Sequence, residues 1–345
     1  MIGVDVGGTK VSVAALESGR LSQPLLAATE EGSADALVEQ LARQVQEVTR
    51  RCGAPEAVGV GIPSVIEFET GRVRSSVNVP LQDVALREVL SERLGLPVFV
   101  DNDATCAALA EAHDDEGRLD ARHLVMLTVG TGVGGGIVID GHIYRGATGA
   151  AGELGHTLIA AALGEGHAAA HGHFPQPGSL EALASGRALD AIAVASAAAH
   201  PDSALGRARA QGREVAGPDV VEAAHAGDEQ ARADLALLGA RLGVGIANAI
   251  NTFDPDVVAV GGGVSAAGEL LLGPARETAM RFVLPGVGTR TEIRLARSGP
   301  MAGVRGAALL ARQELSRSRA GGTAGGPAGG PHGQEVHREL TPERA

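Results

Sequence analysis

The chain has 345 residues and a formal net charge of −12 at pH 7, and 44% of its residues are apolar. The acidic balance argues against a nucleic-acid-binding surface, which needs a basic face, and five Phe, one Tyr and no Trp leave few rings for stacking bases. Two cysteines are too few for a disulfide framework and fit a reducing cytosol. Because no run reaches transmembrane length and no signal-peptide pattern begins the chain, we predict a soluble, cytoplasmic protein that binds neither membrane nor nucleic acid.

The predicted elements alternate between strands and helices. In chain order, they are strand–turn–strand over 1–16, a helix over 33–50 capped by Ser33, strands over 57–64 and 96–103, a helix over 104–112, strand–turn–strand over 123–144, helices over 219–226 and 229–252, a strand over 257–265 and a helix over 303–316. Such alternation predicts a largely parallel α/β sheet whose ligands collect at the carboxyl ends of the strands.

The strand–turn–strand pattern occurs twice, which indicates two related lobes around a shared cleft. We assign residues 1–118 to the first lobe, completed by the helix at 303–316, and residues 119–302 to the second. Residues 317–345 are rich in Gly, Ala and Pro with almost no apolar anchors, and we predict a disordered tail.

Two glycine-rich turns are the strongest local signals for a ligand. DVGGTK at 5–10 and GTGVGGG at 130–136 can each point several backbone N–H groups into one concavity, since glycine has no Cβ to block an anion. Thr9 and Thr131 would add hydroxyl donors, and Asp5 would hold Mg²⁺ through its water shell.

Glycine turns also close ordinary hairpins, and Lys10 fits either a terminal phosphate or a solvated hairpin. Neither turn is a Walker motif, and neither opens a Rossmann helix, because each leads back into a strand. The repetition of the turn, together with a third glycine run at 261–263, favours phosphate binding.

The segment VFVDNDATCAA at 98–108 offers an acid–base group where a buried strand meets a helix. An aspartate there could simply cap the helix. Alternatively, Asp103 acts as a general base, since a sugar hydroxyl is a poor nucleophile at pH 7 until its proton is removed. Asn102 has both donors and an acceptor, which suits a neighbouring sugar hydroxyl.

Together these motifs resemble the ROK family of sugar kinases and repressors, within the actin-like ATPase superfamily. The resemblance covers residues 1 to about 315 and is carried by DVGGTK, GIPS, NVP, DNDA, GTGVGGGI, GELGH, GSLEALASG and DPDVVAVGGGVS. It implies a two-lobed, ribonuclease H-like α/β fold with duplicated lobes around a central cleft. It also implies a homodimer, which the family commonly forms.

The resemblance implies an ATP- and Mg²⁺-dependent sugar kinase, most commonly acting on glucose, with Asp103 as base. The implied sugar contacts are Asn78, Asn102, Asp103, Glu153, His156 and Glu181. The residues implied to hold phosphates or adenosine are Asp5, Gly7, Gly8, Thr9, Lys10, Gly130, Thr131, Gly132, Gly134, Gly261, Gly262 and Gly263. Without the family, Glu153 and His156 would also fit surface positions of a hairpin.

The chain departs from the family pattern at two places. GIPS carries Ser64 where the family usually has glycine beside the sugar, which puts the local backbone contact in doubt. The family's zinc-binding CxCGxxGCxE segment is replaced by a cysteine-free loop in which His171 and His173 could join His156 as metal ligands.

We favour a metal-free loop over a zinc site. Ser179 stands where the last cysteine would lie, and a neutral hydroxyl is a poor fourth zinc ligand. In a metal-free loop, Pro175 and Pro177 would supply the stiffness that lets Glu181 reach the sugar.

The sequence therefore predicts a glucokinase that transfers the γ-phosphoryl group of MgATP to the 6-hydroxyl of glucose. Kinases of N-acetylmannosamine, N-acetylglucosamine or fructose, and a polyphosphate-using glucokinase, stay open as alternatives. A sugar-responsive repressor is disfavoured, because family repressors carry a DNA-binding domain before the first hairpin, which here starts at residue 2.

Overall fold

The computed structural model describes residues 1–76, 79–160 and 172–322. The strands in these ranges are β1 Ile2–Val6, β2 Lys10–Glu17, β3 Arg20–Leu21, β4 Leu25–Ala28, β5 Val58–Ile62, β6 Ser64–Glu67, β7 Arg72–Ser76, β8 Val98–Asn102, β9 Leu124–Val129, β10 Val133–Ile139, β11 His142–Ile143, β12 Val257–Gly261 and β13 Glu292–Leu295. The α-helices are α1 Ala34–Cys52, α2 Leu86–Leu94, α3 Asp103–Glu111, α4 Leu180–Ala184, α5 Gly186–Ala199, α6 Ala204–Ala210, α7 Gly217–His225, α8 Glu229–Phe253, α9 Glu269–Phe282 and α10 Ala302–Gly322.

Two mixed sheets form the centre of the structure, and they share one pattern. The first has the order β3-β2-β1-β5-β8, with β4 also pairing with β2, and the second has the order β11-β10-β9-β12-β13. In each, an antiparallel hairpin (β1–β2 or β9–β10) is followed by two parallel strands. The repeated strand–turn–strand pattern in the sequence thus corresponds to a repeated sheet. The lobe boundary at residue 118 stays a prediction.

Helix α1 shows how the sequence specifies its own packing. The side chain of Ser33 accepts a hydrogen bond from the N–H of Ala36 at 3.1 Å, which confirms the predicted cap. The five apolar residues that recur at helical spacing are all buried against the first sheet: Leu37, Val38, Leu41, Val45 and Val48.

Helices α3 and α10 cross in direct backbone contact, and bare glycines make this possible. A Cβ at Gly306 of α10 would lie 1.7 Å from the carbonyl oxygen of Cys106 in α3. A Cβ at Gly3 or Gly59, in β1 and β5, would meet the backbone of α10 at 1.9 or 1.8 Å. Since real Cβ atoms do not approach this closely, these positions admit only glycine unless the backbones move apart.

Helix α3 also contacts the second sheet and is anchored at its far end. A Cβ at Gly136 in β10 would lie 2.7 Å from the carbonyl oxygen of Ala104. At the C-terminal end of α3, buried Glu111 pairs with Arg294 of β13 at 2.7 Å. Burial opposes ionisation of Glu111, but Arg294 and two backbone N–H groups of the following loop hold its pKa below the usual value.

The last helix is longer than predicted. We expected it to end at Ser316, with a tail from Arg317, but α10 continues to Gly322. Leu315 is buried, and Arg319 pairs with Glu56 at 2.7 Å, so the start of the expected tail has contacts that composition does not reveal. Residues 323–345 lie outside the described residues.

Helix α8 alone among the described helices is long and apolar enough to cross a membrane. The expectation that no run reaches this length was therefore wrong for α8. Its apolar residues Leu235, Leu238, Leu242 and Ile246 are fully buried in the core of the second half, so the length and composition are those of a core helix.

The crossing of α3 and α10 yields a stability prediction. Gly306→Ala should lower the free energy of unfolding by about 3 kcal/mol or more, because the new methyl group meets a backbone carbonyl rather than a mobile side chain. The measurement is urea unfolding followed by circular dichroism. Gly263→Ala puts the same methyl group into open space and should change stability by less than about 1 kcal/mol. Equal stability of the two variants would contradict the inferred contact.

Candidate functional site

A cavity of about 480 Å³ brings together five of the six predicted sugar contacts, which are Asn102, Asp103, Glu153, His156 and Glu181. The glycine turn between β9 and β10 also lines this cavity, through Gly130, Gly132 and Gly134. The sixth predicted contact, Asn78, lies outside the described residues. The cavity therefore joins the polar ends of β8 and β9 to the segments that follow β11.

Asp103 is the first residue of α3, and its carboxylate is not needed as the helix cap. Asn102 is the cap instead, since its Oδ1 accepts a hydrogen bond from the N–H of Thr105 at 3.1 Å. Asp103 accepts a bond from the N–H of Ala104 at 2.8 Å and has no ion-pair partner among the described residues. Burial raises the pKa of Asp103, and the charge of Glu153 raises it further. The group is thus a stronger base than an exposed aspartate.

Asn102 has less free hydrogen-bonding capacity than the sequence suggested. Its Oδ1 caps α3, and its Nδ2 donates to the carbonyl oxygen of Ser64 at 3.4 Å. Ser64 lines the same cavity, and its own hydroxyl is buried without a hydrogen-bond partner in the described chain.

Asp101 has a structural role rather than a role in the proposed site. Arg145 donates to it at 2.8 Å and to Glu314 of α10 at 3.1 Å, and the Arg145 guanidinium lies 3.4 Å from the centre of the Phe68 ring. This buried cluster links the segment after β11 to the end of β8. No spacing signal in the sequence connects residues 44 positions apart.

Glu181 contacts the second glycine turn directly. Its Oε2 accepts a hydrogen bond from the N–H of Val133 at 2.9 Å, and a Cβ at Gly132 would lie 2.4 Å from that oxygen. Ser179 caps α4 by accepting from the N–H of Ala182 at 3.2 Å, so the residue at the last cysteine position has a helix-capping role. The absence of a side chain at Gly132 therefore leaves room for the Glu181 carboxylate.

Glu153 and His156 lie together at the cavity edge. The Nε2 of His156 is 3.8 Å from Glu153, and its ring packs edge-on against Phe174. Of the other two histidines considered as metal ligands, His173 is described and His171 is not. Within 1–76, 79–160 and 172–322, no three His, Cys, Asp or Glu residues are arranged to hold a metal ion. The proposal that His156, His171 and His173 together bind a metal ion stays untested.

Asp5 is the penultimate residue of β1 and lies against the start of α10. A Cβ at Gly303 would lie between 2.4 and 2.6 Å from the Asp5 carboxyl group. Burial raises the pKa of Asp5 from 3.8 to about 6; the charge of Asp103 adds to the rise and Lys10 opposes it. In the described chain this carboxylate accepts no hydrogen bond and forms no ion pair. Two neighbouring carboxylates with no fixed cation are a donor set that fits Mg²⁺.

The first glycine turn is well ordered but lies apart from the cavity lining. The N–H of Gly7 donates to Lys10 at 2.9 Å, and the Thr29 hydroxyl donates to Gly7. Thr9 accepts a bond from the N–H of Thr29 at 3.1 Å. Gly8 continues the same turn. None of these turn residues lines the cavity that contains Asp103, so their assignment to phosphates stays a prediction.

A second cavity of about 860 Å³ adjoins the first at Gly130, which lines both. Thr131 and Gly263 line the second cavity and Gly262 the first, whereas Gly261 ends β12. Gly262 has φ +87, and a Cβ there would lie 2.4 Å from the carbonyl oxygen of Val129, so both conformation and space require glycine.

The sequence did not reveal most of the second cavity's wall. That wall combines apolar side chains with a few polar groups, and it includes Arg187, Leu189, Asp190, Pro218, Val221 and Glu222. Helices α5 and α7 supply most of it, and the N–H of Gly186 donates to the carbonyl oxygen of Gly130 at 2.7 Å. A mostly apolar pocket with a few polar groups beside a glycine turn suits a nucleotide.

Comparison with known proteins places this geometry in a family. A sequence profile of the ROK family matches residues 1–314. The glucokinase of Halalkalibacterium halodurans is 34% identical over 319 residues, covering 91% of this chain and 95% of that protein. N-acetyl-D-glucosamine kinase of Escherichia coli O1:K1 / APEC is 35% identical over 315 residues, covering 89% and 98%. The structure of a ROK family glucokinase from Streptomyces griseus with glucose and AMPPNP matches with TM-score 0.72 and 32% identity, covering 91% and 99%.

The two sheets, each led by a hairpin, have the fold of the actin-like ATPase superfamily, in the form seen in ROK sugar kinases. The chain belongs to the ROK family. The fold and the family expected from the sequence motifs are thus confirmed.

Asp5 yields a pH-dependent stability prediction for the metal-free protein. Its pKa is higher in the folded state than the ordinary 3.8, so ionisation costs stability as the pH rises from about 4 to about 6. Asp5→Asn should therefore be more stable than the wild type at pH 8, by at most about 3 kcal/mol, with the difference vanishing near pH 4. Urea unfolding in EDTA at several pH values is the measurement.

Asp115→Asn is the matched control, because Asp115 is exposed on a turn. It should show no comparable gain at pH 8. A wild-type advantage over Asp5→Asn at pH 8 would contradict the inferred burial cost.

Proposed function

We propose that this protein is an ATP-dependent glucokinase that phosphorylates the 6-hydroxyl of glucose. The observation that carries the proposal is the position of Asp103. This largely buried carboxylate has no ion-pair partner in the described chain, and it lines a polar cavity that meets a nucleotide-sized cavity at Gly130. An acceptor alcohol and a phosphoryl donor bound in the two cavities would meet at that turn.

In the proposed reaction, Asp103 accepts the proton of the 6-hydroxyl as that oxygen attacks the γ-phosphorus. The bond between the γ-phosphorus and the bridging oxygen breaks, and ADP leaves with that oxygen. The raised pKa of Asp103 makes the carboxylate a better proton acceptor at neutral pH. Its place at the first turn of α3 fixes its direction, because the backbone N–H of Ala104 holds one oxygen.

The other cavity residues would orient the sugar. Glu153, His156 and Glu181 offer acceptors and donors around the cavity, which is the pattern needed to hold several hydroxyl groups at once. Glu181 already accepts a bond from the turn N–H of Val133, so sugar binding and the shape of the turn are coupled through one carboxylate.

The phosphates would lie against the turn between β9 and β10. Uncovered backbone N–H groups stabilise negative charge that develops during transfer without reorganising. Asp5 is the residue best placed to hold Mg²⁺, which when bound would neutralise charge on the donor phosphates.

A cytoplasmic location and a homodimer stay predictions. Light scattering after size-exclusion chromatography would test whether the protein is a dimer.

One observation favours ATP and glucose, and another supports a different acceptor. The structurally similar Streptomyces griseus protein binds glucose and AMPPNP, and it shares 32% identity with this chain. The relative that acts on N-acetyl-D-glucosamine is equally close in sequence, at 35% identity. An N-acetylglucosamine kinase is therefore the second candidate, ahead of N-acetylmannosamine, fructose or a polyphosphate donor.

A panel of acceptors and donors tests the proposed specificity. In a coupled assay with purified protein, glucose with MgATP should give the highest kcat/KM among glucose, N-acetylglucosamine, N-acetylmannosamine and fructose, each with MgATP or polyphosphate. A higher kcat/KM for N-acetylglucosamine would establish the second candidate instead. Absence of transfer to every sugar, with specific DNA binding in a gel shift, would favour a regulator.

Replacement of the proposed base gives a sharper prediction. Asp103→Asn should lower kcat by about 10²- to 10⁴-fold with a small change in KM, because the amide keeps the shape but cannot take a proton. Asp115→Asn, on an exposed turn, should keep wild-type kinetics. If Asp103→Asn kept wild-type turnover with a folded circular dichroism spectrum, Asp103 would not be the base.

A further inference from the structure

A basic pocket lies apart from the proposed sugar and nucleotide cavities. It has a volume of about 440 Å³ and is formed by the segment just after α3, strand β11 and the second half of α10. Its lining includes His113, His142, Arg312 and Arg317 and contains no carboxylate. In a chain of net charge −12, this local excess of basic groups is unexpected.

Arg312 is the central residue of the basic pocket, and its charge has no counterion. It is partly buried, and its guanidinium donates to the carbonyl oxygen of Gly117 at 2.6 Å. It forms no ion pair with any carboxylate in 1–76, 79–160 or 172–322. Burial lowers the pKa of Arg312, and the like charge of Arg305 lowers it further. Arg305 lies two turns earlier on α10, is buried, and likewise has no ion-pair partner among the described residues.

Two other enclosed guanidinium groups in this protein have carboxylate partners. Arg145 pairs with Asp101 at 2.8 Å, and Arg294 pairs with Glu111 at 2.7 Å. Burying a charge without a partner is costly, so paired burial is the expected arrangement. Arg312 and Arg305 both lack such a partner, so any counterion to this pair of charges is not part of the described chain.

The uncompensated positive charge of Arg312 and Arg305 also acts on His113. Its Nδ1 lies 2.8 Å from the carbonyl oxygen of Leu109, so that nitrogen donates and Nε2 is left for another partner. Burial lowers the pKa of His113, and Arg312 and Arg305 lower it further. The nearby carboxylate of Asp114 pairs with Arg118 at 2.8 Å, so it offers little compensation.

The remaining groups of the pocket suit a ligand with both negative charge and hydroxyl groups. Arg317 is exposed, and its one described partner is Glu314 at 3.1 Å, which Arg145 also contacts. The amide of Gln313 donates to Gly141 at 2.8 Å, while its Oε1 is buried without a hydrogen-bond partner among the described residues. An unmatched acceptor beside unmatched cations favours a phosphate ester over a bare anion.

We propose that the basic pocket binds a small phosphate-bearing molecule of the sugar phosphate class, at a site distinct from the proposed catalytic site. The phosphate would pair with Arg312 and Arg317. The pocket lies on α10 and on the segment that follows α3, and both helices begin at the proposed catalytic site, α3 at Asp103 and α10 against Asp5. Arg312 is about 15 Å from the start of α10 along the helix axis. A ligand here would contact α10 and the segment after α3.

The full-length protein can be titrated with glucose 6-phosphate and with inorganic phosphate while the histidine ring resonances are followed by NMR. The His113 resonance, assigned with His113→Gln, should shift saturably, and the His113 pKa should rise as the phosphate compensates the arginine charges. Arg312→Gln should weaken binding about tenfold or more. Tighter binding of glucose 6-phosphate than of phosphate identifies the ester as ligand; equal binding identifies phosphate alone.

Arg317→Gln is the second variant, because Arg317 is exposed and its replacement should leave folding intact. It should also weaken binding, whereas Arg43→Gln, on the exposed side of α1, should not. No saturable His113 shift in the wild type, or equal affinity of wild type, Arg312→Gln and Arg317→Gln, would overturn the proposal. The proposed function is tested separately, by measuring sugar kinase activity without added phosphate. Failure of the binding experiment therefore does not count against the proposed function.

Discussion

The contact between α3 and α10 is the constraint on which the site depends. Gly306 lets the backbones of the two helices touch at the Cys106 carbonyl, and Gly3 and Gly59 let α10 lie directly on the first sheet. Asp103 begins one of these helices, and Asp5, near the end of β1, lies against the start of the other. One close-packed crossing therefore fixes the position of both acids. It also brings two negative charges near each other, and this raises the pKa of Asp5 beyond the effect of burial alone.

Charge pairing separates the acids that hold the structure from those that face the site. Asp101 and Glu111 are buried and have arginine partners, Arg145 and Arg294, which join distant segments. Asp103 lies between them in the chain and has no such partner. Leaving a carboxylate unpaired in an enclosed place costs stability, and that cost is expected where a group must take a proton or hold a cation. The unpaired positive charge of Arg312 also costs stability, and that cost is expected where a group must bind an anion.

The sequence predicted the hairpins, the buried strands and five of the polar residues that line the first cavity, because each follows from local patterns or from contiguous family motifs. It failed where the deciding partner is distant. The role of Asp101 depends on Arg145, and the close contact at Gly132 is with Glu181, 49 positions away in the printed sequence. Composition also placed the start of the tail too early, because the contacts of Leu315 and Arg319 are tertiary. The second cavity was missed because α5 and α7 carry no motif that marks them as its walls.

In the proposed reaction, proton transfer and sugar choice would depend on different parts of the first cavity. Asn102 caps α3 and Asp103 begins it, and these two residues would serve any hexose with a free 6-hydroxyl. Discrimination between glucose and an N-acetylated sugar must instead depend on the walls, since the two differ only by a side group. Ser64 forms part of one wall, in place of the glycine usual in the family, and its hydroxyl is buried without a partner in the described chain. A side chain at that position both narrows the cavity and leaves a polar group to be satisfied, so under the proposed function this wall is where sugar choice would depart from the family pattern.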